Sequence, residues 1–211
     1  MFRRITKQHL IVLSTLGLLT AAGCSQNNSL PTDVGMDPGL AAQHQANLAA
    51  LATEQKASTA RFDSLTTVWK NRGNSPKPMY SAGDAAAAFV PCAPLPFDGG
   101  AQIVGPAGGV FHFGPHKLTV PAGALASNVS IAVMVVTALR TDVKLLPHGT
   151  QFAVPVSLKL AYSQCDPAAN HRVAYIDGNG TLLEWTAAVD HPTAGYVEAI
   201  LNHFSEYAVA Y

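Results

Sequence analysis

The chain has 211 residues, enough for one ordinary domain with extensions. Asp, Glu, Lys and Arg make up only 12% of it, and 13 basic residues balance 13 acidic ones, so nucleic-acid binding has no electrostatic support. The three cysteines are Cys24, Cys92 and Cys165, and an odd number asks for a separate role for one of them.

In chain order, the first element opens on Arg3, Arg4 and Lys7 and continues into the apolar run Leu10 to Leu19. That run, about ten residues, is too short to cross roughly 30 Å of hydrocarbon as a helix. A basic start, a short apolar run and then small residues is the pattern of a secretory signal, here residues 1–23. Ala21, Ala22 and Gly23 lead directly into Cys24. The stretch resembles the lipobox of bacterial lipoproteins, with Ala21 where that family more often has leucine. The resemblance implies that Cys24 is acylated, palmitate being among the chains, and becomes the mature N-terminus. The membrane is then a partner through the lipid. Each buried methylene contributes about 0.8 kcal/mol and stable anchoring takes more than one chain; the family attaches several. Ser25, a residue other than Asp after the cysteine, resembles the sorting pattern that in enterobacteria implies the outer membrane.

Residues 24–37 are polar and rich in turn formers, so they read as a flexible tether. Asp37-Pro38 is an N-cap followed by proline at the first helical position. Residues 38–70 are rich in Ala, Leu, Gln, Glu and Lys and read as one helix. Its apolar residues gather at the ends, Leu40, Leu48 and Leu51, then Phe62, Leu65, Val68 and Trp69. The middle has Gln55 and Ser58 where a coiled coil wants apolar side chains. Two readings stand: a helix packing its C-terminal end on its own domain, or one that oligomerises or binds a partner. Residues 71–100, with many Pro, Gly and Ala, read as a second linker.

From Ala101 the rhythm changes to period two. Val129, Ile131, Val133 and Val135 alternate with Ser130, Ala132, Met134 and Val136; Val156, Leu158, Leu160 and Tyr162 alternate with Ser157, Lys159 and Ala161. Turn signals fall between the runs, at Gly108-Gly109, Pro121-Ala122-Gly123, Pro147-His148-Gly149 and Asp177-Gly178-Asn179-Gly180. Short alternating strands at even spacing predict a mainly β chain with an antiparallel β-sandwich or barrel over 101–211.

Several stretches of this half resemble one family. They are Ala107-Gly108-Gly109-Val110, Leu118 to Leu125, Gly149-Thr150-Gln151-Phe152-Ala153-Val154-Pro155-Val156, Asp177 to Trp185, and His203-Phe204-Ser205-Glu206-Tyr207. The order is similar to the ZU-five domain of zonula occludens proteins, netrin receptors and ankyrins. The resemblance covers nearly all of 101–211 and implies a β-sandwich. In eukaryotes the domain mostly binds other proteins, which implies a binding role here without naming a partner.

The chemistry is sparse. His112 and His116 flank Phe113-Gly114-Pro115, which breaks any helix that would stack them, so no metal is expected there. Asp177-Gly178-Asn179-Gly180 lacks the later glutamate of a calcium loop and reads as a hairpin turn. The common hydrolase signatures are absent, and no cofactor is expected. His203-Phe204-Ser205 resembles the self-cleavage site of some ZU-five proteins, in which Ser205 would attack its preceding peptide bond with His203 as base. The simpler reading is that the three residues pack, because Ser205 opens a run that reads as a regular closing strand. With Cys24 acylated, Cys92 and Cys165 share an oxidising compartment and are expected to form a disulfide. The function expected is a non-enzymatic, lipid-anchored envelope module that binds protein or envelope polymer. A self-processing domain and a structural spacer are the alternatives.

Overall fold

The structure, a computed structural model, describes residues 36–73 and 89–211. The expected signal, Cys24 and most of the tether lie outside the described residues. The helix α1 spans Pro38–Asn71. The Asp37 carboxylate accepts the Leu40 N–H at 3.1 Å, and Pro38 occupies the first turn, where a missing N–H costs no hydrogen bond.

Among the described residues eleven strands follow: β1 (Gly99–Val104), β2 (Gly109–Phe113), β3 (His116–Val120), β4 (Val129–Val135), β5 (Asp142–Leu146), β6 (Gln151–Ala161), β7 (Arg172–Ile176), β8 (Leu182–Thr186), β9 (Ala188–His191), β10 (Tyr196–His203) and β11 (Glu206–Ala210). They form a six-stranded sheet in the order β1-β4-β5-β11-β7-β8 and a five-stranded sheet in the order β2-β3-β6-β10-β9. Neighbouring strands pair antiparallel throughout. The chain is mainly β, an antiparallel β-sandwich preceded by a long helix.

The period-two pattern explains the core. Ile131, Val133, Val143, Leu145, Tyr207 and Val209 from one sheet meet Phe111, Phe113, Leu118, Val156, Leu158, Leu160, Val197 and Leu201 from the other. Successive side chains on a strand point to opposite faces, so every second residue enters this layer. On β4 the alternate set is buried too, because Ala132 and Met134 face away from the core and pack under Leu51 of α1.

The helix departs from the expectation that its C-terminal end does the packing. Its buried residues are His44, Asn47, Leu51 and Ser58. Spacings of three, four and seven put them on one face. The face is polar. Asn47 donates to the Ser130 carbonyl at 2.9 Å and hydroxyl at 3.1 Å; His44 Nδ1 lies 2.9 Å from that hydroxyl; Gln43 accepts the Ser130 N–H at 2.9 Å. Ser58 lies where an apolar residue was looked for, and its hydroxyl accepts the Thr137 N–H at 3.4 Å.

Of the linker expected over 71–100, residues 74–88 lie outside the described residues, and 89–100 are corrected to part of the domain. Phe89 forms a bridge with Ala210, Cys92 one with Cys165, and β1 begins at Gly99. Val90 and Cys92 are fully buried. The many Pro and Gly residues hide this: burial alternates at Val90, Cys92 and Pro94, but a half-cystine and a proline at inward positions do not read as an apolar strand pattern.

Candidate functional site

Cys92 and Cys165 are joined by a disulfide, 73 positions apart in the chain. Backbone bonds flank it: Cys92 N–H to the Leu139 carbonyl, Ala93 N–H to Gln164, and Asp166 N–H to Pro91. Arg72, capping α1, forms an ion pair with Asp166. The end of the helix, the 89–93 segment and the loop after β6 thus meet around one covalent link.

His203, Phe204 and Ser205 lie at the corner where the chain passes from β10 in one sheet to β11 in the other. The closing strand expected after Ser205 is β11, which starts at Glu206. Phe204 is fully buried and packs edge-on against Phe152, with centroids 4.8 Å apart. Tyr207 donates its hydroxyl to the His203 carbonyl at 2.8 Å, which pins the corner from the strand that follows. His203 Nδ1 lies 3.4 Å from the Phe204 carbonyl oxygen, which accepts the Gly149 N–H at 2.9 Å.

The polar site with the strongest convergence was not visible in the sequence. Beside the disulfide is a cleft of about 470 Å³, lined in part by Tyr162, Cys165, His171, Pro192 and Gly195. One lip is the β9–β10 turn, where the Ala194 and Gly195 N–H groups both donate to the His191 carbonyl and Gly195 takes φ +70°, a conformation cheap only for glycine. Asp190 organises the wall. It accepts the Tyr162 hydroxyl at 2.6 Å and the His171 N–H at 2.9 Å, and His171 Nδ1 lies at 3.2 Å. The Tyr162 and His171 rings stack with centroids 3.6 Å apart. Burial works to raise the Asp190 carboxyl, but the His171 amide, the Tyr162 hydroxyl and the imidazole together hold it below the ordinary carboxylate range. Burial and the bond to Asp190 push the Tyr162 phenol up. His171 is only 8% exposed, and its Nε2, sealed from solvent, has no hydrogen-bond partner.

No protein-family model matches this chain, and no curated protein matches it. The site is therefore read from its chemistry alone. Asp190 orients the His171 imidazole through Nδ1, and the Tyr162 ring covers its face. Among the described residues no group of three or more His, Cys, Asp or Glu is placed to hold a metal. His112 and His116 sit on opposite faces of the β2–β3 hairpin, one exposed and one buried in the core. Asp177 closes the β7–β8 turn by accepting the Asn179 and Thr181 N–H groups at 2.9 and 2.8 Å.

A second buried polar cluster lies on the six-stranded sheet. Asp142 and Glu206 are nearly inaccessible, on adjacent strands β5 and β11. Arg140 donates to Asp142 at 3.1 and 2.7 Å, and Lys144 lies 3.6 Å from Glu206. Burial raises the Asp142 carboxyl to about 7 against the pull of Arg140, with Glu206 adding to the rise. Burial likewise raises Glu206, against Lys144.

Proposed function

We propose that this chain is a lipid-anchored bacterial envelope protein of the outer membrane whose β-sandwich is a non-enzymatic binding module for a protein or envelope polymer. The anchor rests on the run into Cys24. The binding role rests on the cleft, whose wall carries Tyr162 and His171, held in place from behind by Asp190. Ligand sites combine a few placed polar groups with a concave, otherwise apolar wall, and a volume of a few hundred Å³ is in their range.

Two experiments test it. Cys24→Ala should leave the precursor unprocessed or free of membranes; maturation and membrane retention like the parent's overturn the anchor. For the module, a photo-crosslinking residue at Thr193, exposed on the cleft's lip, should trap an envelope component in cells. The same residue at Asn179, in the turn at the far end of β7, should not. Equal trapping at both positions, or none at Thr193, overturns the binding reading.

One observation favours the alternative of self-processing at Phe204–Ser205. The Gly149 N–H already donates to the Phe204 carbonyl, the oxygen that would gather charge if Ser205 attacked. Against it, His203 Nδ1 approaches that same carbonyl, and no non-glycine residue among those described has the positive φ of a strained backbone. The chain is expected to stay whole at neutral pH. Intact mass after prolonged incubation checks this; loss of the Ser205–Tyr211 peptide, abolished by Ser205→Ala, reverses the ranking.

A further inference from the structure

The two ends of the Cys92–Cys165 bridge are unequal. Cys92 is fully buried, whereas Cys165 is partly exposed and lines the cleft. Thiol–disulfide exchange proceeds by attack of a thiolate on one of the two sulfurs, and access decides which. A thiol arriving from solvent therefore meets Cys165 and expels Cys92.

The surroundings of Cys92 suit a leaving sulfur. Thr141 Oγ1 lies 3.6 Å from Cys92 Sγ and 3.4 Å from Cys165 Sγ. The Gln164 side-chain amide donates to that oxygen at 2.9 Å, so the Thr141 proton is left for a sulfur. A hydrogen bond to the charged form favours it, here the thiolate as it departs. Once protonated, Cys92 has an acceptor at hand, the Val90 carbonyl 3.2 Å from its sulfur. A small buried thiol is well tolerated in an apolar interior.

The backbone around the bridge is held by other means. Cys92 and Cys165 stand opposite each other in an antiparallel pair. On either side, the Ala93 N–H donates to the Gln164 carbonyl at 2.9 Å and the Asp166 N–H to the Pro91 carbonyl at 2.8 Å. The Cys92 N–H is taken by Leu139 at 2.9 Å, and Arg72 clamps Asp166 from the helix end. None of these contacts passes through sulfur, so the segment stays seated when the sulfurs separate.

We infer that the Cys92–Cys165 bridge is a reversible thiol–disulfide exchange site, attacked at Cys165 by an external thiol of the glutathione class and opened without unfolding the domain. In the first step the attacking thiolate forms a sulfur–sulfur bond to Cys165. The Cys92–Cys165 bond breaks, and its electron pair leaves on Cys92, which takes a proton from water. A second thiolate then attacks the sulfur of the adduct and releases Cys165, which is protonated in turn. Two external thiols are oxidised to one disulfide for each bridge reduced. The inference goes beyond the binding role and does not depend on it.

The test uses the full mature protein in detergent micelles. Reduced glutathione is added at neutral pH without denaturant, exchange is quenched with acid, and adducts are located by peptide mass mapping. Glutathione should sit on Cys165 roughly tenfold or more over Cys92, as access directs. Protein fully reduced with dithiothreitol should keep its near-ultraviolet circular dichroism, and oxidised glutathione should restore the bridge. Cys92→Ser, which leaves Cys165 as a thiol, should react with oxidised glutathione roughly tenfold faster than Cys165→Ser. Thr141→Val should slow opening several-fold, and Thr141→Ser should not. Adducts on Cys92 as often as on Cys165 overturn the direction of attack. A bridge that resists both thiols until urea unfolds the domain, or a reduced protein that loses its aromatic signal, overturns the exchange site and leaves a purely structural link. An unchanged rate in Thr141→Val removes the hydroxyl from the mechanism.

Discussion

The two buried surfaces of this molecule are built on opposite chemistry. Between the sheets, Ile131, Leu145, Leu158 and Leu201 meet others of their kind, and no polar partner is needed. Between α1 and β4, Leu51 alone of the helix packs on Ala132 and Met134, while His44, Asn47, Gln43 and Ser58 each engage Ser130 or Thr137. The apolar layer derives its stability from removing area from water and tolerates small shifts. The helix contact relies on geometry: each hydrogen bond adds only about 1 kcal/mol net, but losing a partner leaves a buried group exposed to the whole desolvation cost. A helix can therefore dock firmly on a sheet while its sequence shows almost no amphipathic stripe.

The largest effect is expected at the covalent link near the helix end. Removing Cys92 and Cys165 together as serines should cost roughly 4 kcal/mol by loop-closure entropy alone, given the separation of 73 positions. Chemical denaturation of both forms checks it, and a loss below about 1 kcal/mol would show that the backbone bonds around the bridge suffice. Next comes the apolar layer. Leu158→Ala, fully buried in β6, should cost about 3 kcal/mol through lost transfer energy and a cavity.

The helix contact should respond less, and in a way that separates the two chemistries. Asn47→Ala deletes both donors to Ser130 and should cost about 2 kcal/mol, whereas Leu48→Ala, next to it but on the exposed side, should cost less than about 0.5 kcal/mol. If Leu48 proved the costlier of the two, the helix would have a second, apolar interface and the contrast would fail.

The smallest net effect is in the pH dependence of the parent, where two buried groups act in opposite directions. The Asp142 carboxyl, lifted by burial to about 7 in the fold and ordinary when unfolded, keeps a proton in the native state that the unfolded chain has lost. Its contribution therefore falls as pH rises from about 4 to about 7 and is flat above. His116 acts oppositely. Burial lowers its imidazole to about 4, so the unfolded chain binds the extra proton and stability rises over much the same window. Asp142→Asn should remove the first slope and leave the second, turning the stability of the variant upward with pH between about 4 and 6.5. A wild-type profile unchanged by the substitution would mean that Arg140 holds Asp142 ionised throughout.

The legibility of this chain follows the same division. Strands such as 129–135 and 156–161 announce themselves because one face must be apolar at every second residue, and the Asp37-Pro38 cap because only a few residues satisfy a helix start. The turn at Asp177 was readable for the same reason. The 89–93 segment was not, since its backbone bonds to 139, 164 and 166 leave no mark on residue type. Tyr162, His171 and Asp190 were equally hidden. They come from a strand end, a loop and a different strand, so no spacing pattern joins them.

By itself, then, the sequence determined the β-sandwich, the helix and its first turn, because periodicity and capping are local and are written in consecutive residues. The tertiary structure alone decided which face of α1 is buried, that 89–93 joins the domain, and that an aspartate stands behind a tyrosine and a histidine on one cleft wall. Those outcomes depend on which distant backbone groups lack partners once the sheets have closed, and that is a property of the assembled fold rather than of any one segment.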